Sequence, residues 1–591
     1  MNEIRKTAIE YILCHDCTPE IRYLALVMFF RVFYDLKNTN IFINEGKVKT
    51  IHINNYLRMC LVIALKINLY STEYIKELTE YTSSHVAIES HILDILKYDV
   101  KPNTIFSYIF YGQTNEQFVN INPKGDRYKI CVYISFVLLL EDDHIDKDPK
   151  KLYDLVYRFS EIFFTDNINE FIKQDINYPY LCHLCNVDKI EYDDFIYSRL
   201  NKEFKIKILD KSFMKNIKFD NCHKLQNLQN LQIESCNSYY GDYVYKTVEE
   251  DEVKYVAYNS SESRIKKDNS DVYSYVKGND IIRIKKEEKL GEGSYASVYL
   301  AKCANIGDGI MNVEDACCVK QIALKRLFNI YCEADGIDGK ILMEMSALNM
   351  LNHPNIVKFI GYGKRRYLYM DIATESIKYS LNDYLLKIKD RVDKDLFVKK
   401  LFSGLLEGVS HIHDMRIIHR DLHDGNIMVT EEGDIKILDL GSSCLYSRYL
   451  YRLNSDLIMY GSAPIRAIEM FFRFSDYDTI TNKLDIWSCA MNFMLILMGN
   501  YPCYGSNDFD IILCILHLLG PMNENDIPKI SYYYKLHNFY KFKFVPSDDD
   551  CFPITNIKDN KYYSLIKSML DYVPNRRPSA KNLLVSLSQI Q

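Results

Sequence analysis

Apolar residues recur with helical spacing along the first hundred residues of the chain. Thr18 and Pro19, a typical N-cap and first helical residue, precede the run EIRYLALVMFFRVF. The segment NNYLRMCLVIALKI is apolar on nearly all sides, as expected of a helix at the centre of a bundle. In SSHVAIESHILDILKY, Ile88, Ile92 and Ile95 form one apolar stripe. The pattern predicts consecutive helices, which continue with a less regular period up to residue 205.

The pattern changes twice after residue 205. Residues 206–278 include polar, breaker-rich stretches such as SSESRIKKDNSD, which predict a linker. From about residue 280 the apolar positions alternate as in strands, and after about residue 380 they return to helical spacing. Strands followed by helices predict a small sheet-rich lobe and a larger helical lobe.

Composition narrows the function classes and the compartment. The 591 residues are 48% hydrophobic and carry a formal net charge of −6, so no basic excess supports a broad nucleic-acid surface. The start, MNEIRKTAIEYILCHDC, lacks the apolar core of a signal peptide, and the longest apolar run, 130–140, is too short to span a bilayer. The 17 cysteines are scattered, which favours free thiols in a reducing compartment, cytoplasmic or nuclear. The pairs in CHDC and CHLC have the spacing of zinc ligands, but their helical surroundings favour buried thiols.

Candidate phosphate chemistry begins in the strand region. The stretch KLGEGSYASVYLAK holds Gly291 and Gly293 between two strand-like runs, and such glycines let backbone N–H groups approach a triphosphate. Lys325, in QIALKRL, can reach phosphate oxygens from the strand that follows. Glu344 lies on a predicted helix, and a buried lysine needs such a carboxylate partner because an unpaired buried charge is costly.

The densest polar run of the chain is HRDLHDGN, residues 419–426. Side chains this polar are expected in water or around a ligand. Asp421 can accept the proton of an attacking hydroxyl, and Asn426 offers an uncharged oxygen to a hard cation. Asp439, at the end of the strand-like run IKILDLG, suits a second ligand. The set predicts a site for magnesium and a nucleotide phosphate.

These motifs, in this order, resemble those of the eukaryotic protein kinases over about residues 280–590. Later landmarks agree: Glu469 in RAIEM, Asp485 in LDIWS and Arg577 in PNRRPSA. In the family, the residues matching Glu469 and Arg577 form an ion pair that braces the helical lobe. The residue matching Asp485 anchors the backbone of the catalytic loop. The resemblance implies a bilobal α+β kinase fold, with ATP and Mg²⁺ as cofactors.

The resemblance also implies roles for individual residues. The implied catalytic residues are Asp421, Lys325, Glu344, Asn426 and Asp439, of which Asn426 and Asp439 would hold the metal. Met370 would be the gatekeeper beside the adenine, and Asp371 to Ala373 would supply hinge contacts from the backbone. The residues implied for nucleotide binding are Leu290, Gly291, Gly293, Ser294, Val298, Ala323, Lys325, Met370, Asp371, Ala373 and Met428.

Within the family, the chain looks most like the cyclin-dependent kinases. The run DGIDGKILMEMSALNMLNHPNIV aligns without a gap on the helix with which they contact a cyclin. Arg466 is typical of their wider group, where it helps to shape a pocket that favours proline after the phosphoacceptor. The resemblance implies Ser/Thr protein substrates, with proline direction as an option.

The helical segment 18–110 resembles a cyclin box. Arg22, Lys66 and Glu89 stand at matching places, and in cyclins the residues matching Lys66 and Glu89 help to grip the kinase. The usual tryptophan of the first helix is Met28 here, so a generic helical bundle is the alternative. Residues 111–205 would then be a degenerate second repeat.

Three departures from the family pattern affect expected activity and control. His423-Asp424 replaces the usual Lys-Pro, so we expect reduced turnover because a neutral imidazole lacks a permanent charge. Of three arginines that normally bind an activation-segment phosphate only Arg420 remains, since the other two align with Met343 and Cys444. We therefore expect activation without that phosphorylation. The candidate regulatory residues are Ser294, Tyr295, Ser455 and Ser462, the last in the place of a threonine that usually touches the catalytic aspartate.

The predicted organisation is a cyclin-like box (1–110), a helical region (111–205), a linker (206–278) and a protein kinase domain (279–591). The predicted function is an ATP-dependent Ser/Thr protein kinase that its own cyclin-like module activates, with no nucleic-acid or membrane partner. One alternative is a weak or inactive pseudokinase that sequesters cell-cycle partners. Another is an active kinase whose N-terminal half docks an unrelated protein.

Overall fold

The computed structural model describes most of residues 17–104 and 272–590, with isolated positions before 17 and between 131 and 156. Most of the region 111–205 and the segment 206–271 therefore lie outside the described residues. Within the two main ranges, the residues left out are 37–40, 45–46, 49, 69, 71, 81–84, 103, 278–279, 293–295, 304–320, 328–330, 333–335, 366–368, 390–393, 446–460, 472–480, 506 and 521–559.

The N-terminal part is a helical unit, as its apolar pattern predicts. Its helices are α1 (Pro19–Leu36), α2 (Thr50–Ile67), α3 (Thr72–Thr79) and α4 (Val86–Leu96), and a short hairpin joins β1 (Ile43–Asn44) to β2 (Lys47–Val48). Helix α2 is the centre, because α1, α3 and α4 all pack against it. The buried residues Cys131, Tyr153 and Val156 join the same core from the region beyond residue 110.

The sheet-rich lobe follows the helical unit. Its six main strands close into a barrel in the order β10-β6-β5-β4-β3-β9, with every neighbouring pair antiparallel. The strands and the helix α5 of this lobe are β3 (Val272–Lys277), β4 (Asp280–Glu292), β5 (Ala296–Cys303), β6 (Ile322–Leu327), β7 (Tyr331–Cys332), β8 (Gly336–Ile337), α5 (Gly339–Met350), β9 (Phe359–Arg365) and β10 (Tyr369–Glu375).

Strand β3 corrects one predicted boundary. Residues 272–277 fall inside the predicted linker, yet they pair with β4 from Val272 opposite Lys285 to Lys277 opposite Asp280. The sheet therefore begins seven residues before residue 279, where the kinase domain was predicted to start. The pairing is local in sequence, but the polar residues around this segment favoured a linker on composition alone.

The helical lobe is built around a long buried helix. Helix α9 is buried from Lys483 to Ile496, and the ring of Phe493 stacks on Phe402 of α7 at a centroid distance of 3.5 Å. The predicted order of a sheet lobe followed by a helical lobe is confirmed. The elements are β11 (Tyr379–Ser380), α6 (Leu381–Ile388), α7 (Lys394–Asp414), β12 (Ile417–Ile418), β13 (Ile427–Val429), β14 (Ile435–Ile437), β15 (Cys444–Leu445), α8 (Ile468–Phe471), α9 (Lys483–Met498), α10 (Asp508–Leu519), α11 (Tyr563–Met569) and α12 (Ala580–Gln589).

The N-terminal unit packs directly against helix α5 of the sheet lobe. The Cα of Gly339, the first residue of α5, faces the backbone of Lys66, and a Cβ there would lie 2.7 Å from the Lys66 carbonyl carbon. Ser346 Oγ, further along α5, donates to the carbonyl oxygen of Tyr98 at 3.4 Å. The buried ring of Tyr98 meets Tyr362 edge-on at 5.3 Å. Helix α5 is thus held between the active-site side of its own lobe and the N-terminal helices.

In the part of the chain that the structure describes, no helix combines the length and the apolar character needed to cross a membrane.

Candidate active site

Lys325 forms one ion pair within the sheet lobe and a second one with the helical lobe. On β6, the side chains of Ile322 and Leu324 are buried on one face of the strand, and Lys325 projects on the opposite face. Its Nζ lies 2.7 Å from Glu344 Oε1 on α5 and 2.9 Å from Asp439 Oδ1. The structure thus brings together three predicted residues that are 19 and 114 positions apart in sequence.

The charges of this cluster depend on one another. Burial by itself lowers the pKa of Lys325, but the negative charges of Glu344 and Asp439 outweigh burial and raise that pKa above its ordinary value. Burial raises the pKa of Glu344, which is almost wholly enclosed, and Lys325 only partly offsets this. Burial acts against the charged form of Asp439 too, yet the ammonium of Lys325 holds the pKa of Asp439 below its ordinary value. A permanent cation therefore faces an ionised Asp439 at the mouth of the cleft.

Asp485, at the start of α9, anchors the backbone of the loop that contains Asp421. The backbone N–H groups of His419 and Arg420 donate to the two carboxylate oxygens of Asp485, each at 2.9 Å. His413 Nε2 lies 2.8 Å from the same carboxylate. Asp485 is fully buried, yet these donors, chiefly His413, keep its pKa low against the effect of burial. A charged, buried anchor therefore sets the path of the chain just before Asp421.

Asp421 is held on one side and open on the other. The backbone N–H and the hydroxyl of Ser462 donate to Asp421 Oδ1 at 3.0 and 3.2 Å. His423 folds back so that its Nδ1 accepts the N–H of Gly425 at 3.0 Å, and its Nε2 lies 4.0 Å from Asp421 Oδ2. Because Nδ1 accepts a hydrogen bond, the neutral ring carries its proton on Nε2, on the side of Asp421. Both donors of Ser462 therefore bind Oδ1 and leave Oδ2 to the side of His423.

Asn426 and Asp439 supply oxygen donors on neighbouring segments. Asn426 Nδ2 donates to the Asp421 carbonyl at 2.9 Å, which leaves its amide oxygen as a ligand, and Leu438 N–H donates to the Asn426 carbonyl at 2.9 Å. In the described part of the chain, no cluster of three or more His, Cys, Asp or Glu side chains could hold a metal ion alone. One carboxylate and one amide oxygen fit magnesium, which takes its other ligands from phosphate and water. When bound, that ion would neutralise charge on the phosphates.

The residues predicted around the adenine are partly in place and partly wrong. Val298 stands opposite Lys325 on β5, and Met428 stands opposite Ser380 on the other wall of the cleft. Asp371 to Ala373 are wrong as hinge residues, because strand β10 runs on through Glu375 and pairs with both β6 and β9 along them. Their backbone groups are used in the sheet, and Met370 is fully buried and stands opposite Leu327 rather than Lys325.

The segment that joins the lobes begins at Ser376, five residues after the start of the predicted hinge at Asp371. After Glu375 the chain passes through Ser376, Ile377 and Lys378 before β11. The alternation of apolar and polar residues could not place the end of β10 at Glu375, because the pattern shows no break there. The remaining nucleotide residues divide by location: Gly291 and the half-exposed Leu290 lie on β4 and Ala323 on β6, whereas Gly293 and Ser294 lie outside the described residues.

Among the described residues, the three places implied for binding an activation-segment phosphate hold one arginine and two uncharged side chains. Tyr295 and Ser455 lie outside the described residues. Arg420 has a left-handed backbone conformation (φ 67°), and its Nε donates to the Ser442 carbonyl at 2.7 Å. Met343 and Cys444, at the places of the other two arginines, are buried and uncharged.

The three residues predicted at the interface have different surroundings. Arg22 is buried within the N-terminal unit, where its Nε donates to the His15 carbonyl at 3.1 Å. Lys66 and Glu89 form an ion pair of 2.6 Å that joins α2 to α4. The backbone of Lys66, rather than its ammonium, faces Gly339. Sequence reasoning missed Gly339, although a glycine opening a helix is itself a signal of a close approach.

A fully buried ion pair braces the helical lobe below the cleft. Arg577 Nη1 and Nη2 lie 2.6 and 2.7 Å from the two carboxylate oxygens of Glu469, and both side chains are wholly enclosed. Lys483 Nζ donates to the Arg577 carbonyl at 2.6 Å. The pair that the family resemblance implies is therefore present.

Comparisons with known proteins agree with this geometry. The family model described as "Protein kinase domain" matches residues 284–586. A protein of Acanthamoeba polyphaga mimivirus, named as a serine/threonine-protein kinase, is 26% identical over 529 residues, which is 86% of this chain and 81% of the relative. The crk1 serine/threonine-protein kinase of Schizosaccharomyces pombe is 26% identical over 316 residues, which is 53% of this chain and 84% of the relative. The similarity to the viral protein extends well beyond the kinase segment, into the N-terminal region.

Proposed function

The chain belongs to the protein kinase family, and on that premise we propose that it transfers the γ-phosphate of ATP to serine or threonine hydroxyls of proteins. Asp421 Oδ2 orients the hydroxyl and takes its proton, while Ser462 fixes the other carboxylate oxygen. Lys325 binds phosphate oxygens, and Asn426 with Asp439 holds magnesium. Catalysis then consists mostly of positioning and charge neutralisation.

One observation carries this proposal. Lys325 is bonded at once to Glu344 and Asp439, so the cation that positions phosphate and the carboxylate that holds the metal already face each other. A protein that only binds partners would gain nothing from the buried carboxylate of Glu344 in this cluster, because burying a charge is costly.

Mutation of the two central residues tests the activity. Wild-type chain, Lys325→Met and Asp421→Asn are compared for magnesium-dependent transfer of labelled phosphate to a protein substrate, and for magnesium-dependent ATP binding by calorimetry. We expect Lys325→Met to weaken binding and transfer, and Asp421→Asn to abolish transfer while binding persists. A wild type that binds ATP without transfer would favour the pseudokinase alternative.

We also propose that the N-terminal unit activates the kinase within the same chain, as a cyclin does from a separate one. Its helix α2 presses on α5, the helix that carries Glu344, and Glu344 can pair with Lys325 only when α5 lies inward. The predicted linker lies largely outside the described residues; a flexible chain of its length, roughly 70 residues, would span ~40–50 Å and keep the units at an effective concentration of up to ~1 mM. Undiminished transfer after deletion of residues 1–205 would favour the other alternative, docking of an unrelated partner.

Proline direction is the finer substrate proposal. Gly461 precedes Ser462 at the substrate end of the cleft and has φ +94°. The Gly461 carbonyl oxygen accepts hydrogen bonds from Arg466 Nη2 at 2.7 Å and from Nε at 3.2 Å. This carbonyl is therefore turned away from any substrate backbone N–H. A residue without an N–H loses nothing there, which favours proline after the phosphoacceptor.

Peptides that differ only after the acceptor serine test this preference. Ser-Pro, Ser-Ala and Ser-(N-methyl-Ala) peptides are compared by kcat/KM. We expect the proline and N-methyl peptides to exceed the alanine peptide about tenfold, since one unpaired N–H costs roughly 1–3 kcal/mol. Equal values for all three peptides would reject the proposal.

We also propose that the kinase is active without a phosphate on its activation segment, because the residues around the phosphate position carry little free positive charge. Arg420 is engaged by the Ser442 carbonyl, and the buried Met343 and Cys444 supply no charge. Full activity of phosphatase-treated protein would support this, and activity that appears only after phosphorylation within 442–465 would reject it.

A further inference from the structure

The catalytic loop is braced from beneath by two polar side chains that none of the catalytic motifs includes. Asn492, fully buried on α9, donates through Nδ2 to the Leu422 carbonyl at 2.5 Å and to the Ser488 carbonyl at 2.8 Å. Tyr501, also buried, brings its hydroxyl within 2.9 Å of Asn492 Oδ1. Burial raises the pKa of Tyr501, so the hydroxyl keeps its proton at any physiological pH.

The Tyr501 hydroxyl is the hydrogen-bond acceptor for the backbone N–H of Asp424. The backbone N–H of Asp424 donates to the Tyr501 hydroxyl oxygen at 2.9 Å, and Asp424 Oδ1 lies 3.1 Å from the same oxygen. Asp424 opens a 3₁₀ turn, Asp424–Asn426, so the turn itself provides no acceptor for this N–H. Asp424 is partly buried, and Tyr501 is the hydrogen-bond partner of its N–H.

The backbone around residue 424 would equally suit a proline. Proline is favoured at the first position of a helical turn, where its missing N–H costs nothing. The residue before it must be extended, and His423 has φ −96° and ψ 166°. With proline at this place the Tyr501 hydroxyl would have no N–H to accept. The need for the hydroxyl is therefore tied to aspartate at residue 424.

We propose that Tyr501, oriented by Asn492, is a positioning residue for phosphoryl transfer: its hydroxyl binds the N–H of Asp424 and holds the loop that carries Asp421. The inference rests on the proposed kinase function. Ser462 holds the Asp421 carboxylate from the substrate side, and the Tyr501–Asn492 pair holds the Leu422–Asp424 backbone from the opposite side. Tyr501 is buried against the loop backbone, so it acts through the loop.

A double-mutant cycle in the full chain tests the proposal. Wild type, Tyr501→Phe, Asp424→Pro and the double variant are assayed for kcat and for the KM of ATP. We expect Tyr501→Phe to lower kcat about tenfold and to leave the KM of ATP within about twofold, because one enclosed N–H loses its partner and the nucleotide contacts stay. In the Asp424→Pro background the same substitution should change kcat less than about twofold, because that N–H is gone.

Backbone exchange provides a readout that does not depend on turnover. Hydrogen–deuterium exchange of the peptide 419–428 should be faster in Tyr501→Phe than in wild type, while α9 stays protected. Equal losses of kcat in both backgrounds, or unchanged exchange in the loop, would overturn the role of Tyr501. If the wild type is active but the effects of Tyr501→Phe and Asp424→Pro on kcat are independent, only this inference is refuted. An inactive wild type would refute the kinase function and the catalytic role of Tyr501 together.

Discussion

The contact between Gly339 and Lys66 offers the most direct test of activation by the N-terminal unit. Gly339 begins α5, and a methyl group there would lie 2.7 Å from the carbonyl carbon of Lys66 on α2. Both partners are backbone, so neither can swing aside as a flexible side chain would. The substitution Gly339→Ala therefore forces α5 and α2 apart by about 1 Å, or abandons the docked arrangement.

The size of the effect follows from the cost of overpacking. Inserting one methyl group into a closely packed contact costs about 1–3 kcal/mol, which lowers the ratio of docked to undocked chains by about 5- to 150-fold. Alanine also favours a helix over glycine by up to ~1 kcal/mol, so α5 itself gains stability. A loss of activity can thus not come from a weakened helix. We expect phosphotransfer to fall at least about fivefold, because Glu344 no longer stays beside Lys325.

The assay compares initial rates of transfer for wild type, Gly339→Ala and Asn349→Ala. Asn349 lies at the far end of the same helix, and its amide bonds back to the Met345 carbonyl at 3.0 Å, so this control leaves the contact with α2 intact. Hydrogen exchange should rise in 50–67 and 339–350 only in the glycine variant. Full activity and unchanged exchange in Gly339→Ala would refute the reasoning.

Three further predictions concern the helical lobe, the cleft and the N-terminal unit. Arg577→Ala strands the fully buried carboxylate of Glu469, so urea unfolding should show a loss of about 3–5 kcal/mol. Ser462→Ala should lower kcat by about 3- to 10-fold because Asp421 Oδ1 loses a donor, whereas Ser462→Thr should retain most of the rate. Burial lowers the pKa of His15 from 6.5 to about 4, so between these values the unfolded chain takes up a proton that the folded chain does not. Stability should therefore fall as pH drops through this window, by on the order of 3 kcal/mol, and His15→Gln should remove that slope in pH-dependent thermal unfolding.

Local pattern and short motifs determined much of this protein without any coordinates. The helices of the N-terminal unit follow from a 3.6-residue period, which is a property of a few consecutive turns. The chemical character of Lys325, Asp421 and Asp439 follows from motif spacing, because each motif spans fewer than ten residues and carries its own chemistry. Such signals do not depend on what the rest of the chain does.

Only the tertiary structure decided the features that depend on register and distance. Strand β10 runs through Ala373 to Glu375 because β6 and β9 pair with it on both sides, and no local signal marks that end. The bond between Tyr501 and Asp424 joins residues 77 positions apart, and Gly339 meets Lys66, which precedes it by nearly half the length of the chain. Long-range contacts of this kind form when separate elements pack, so their partners cannot be deduced from the residues on either side alone.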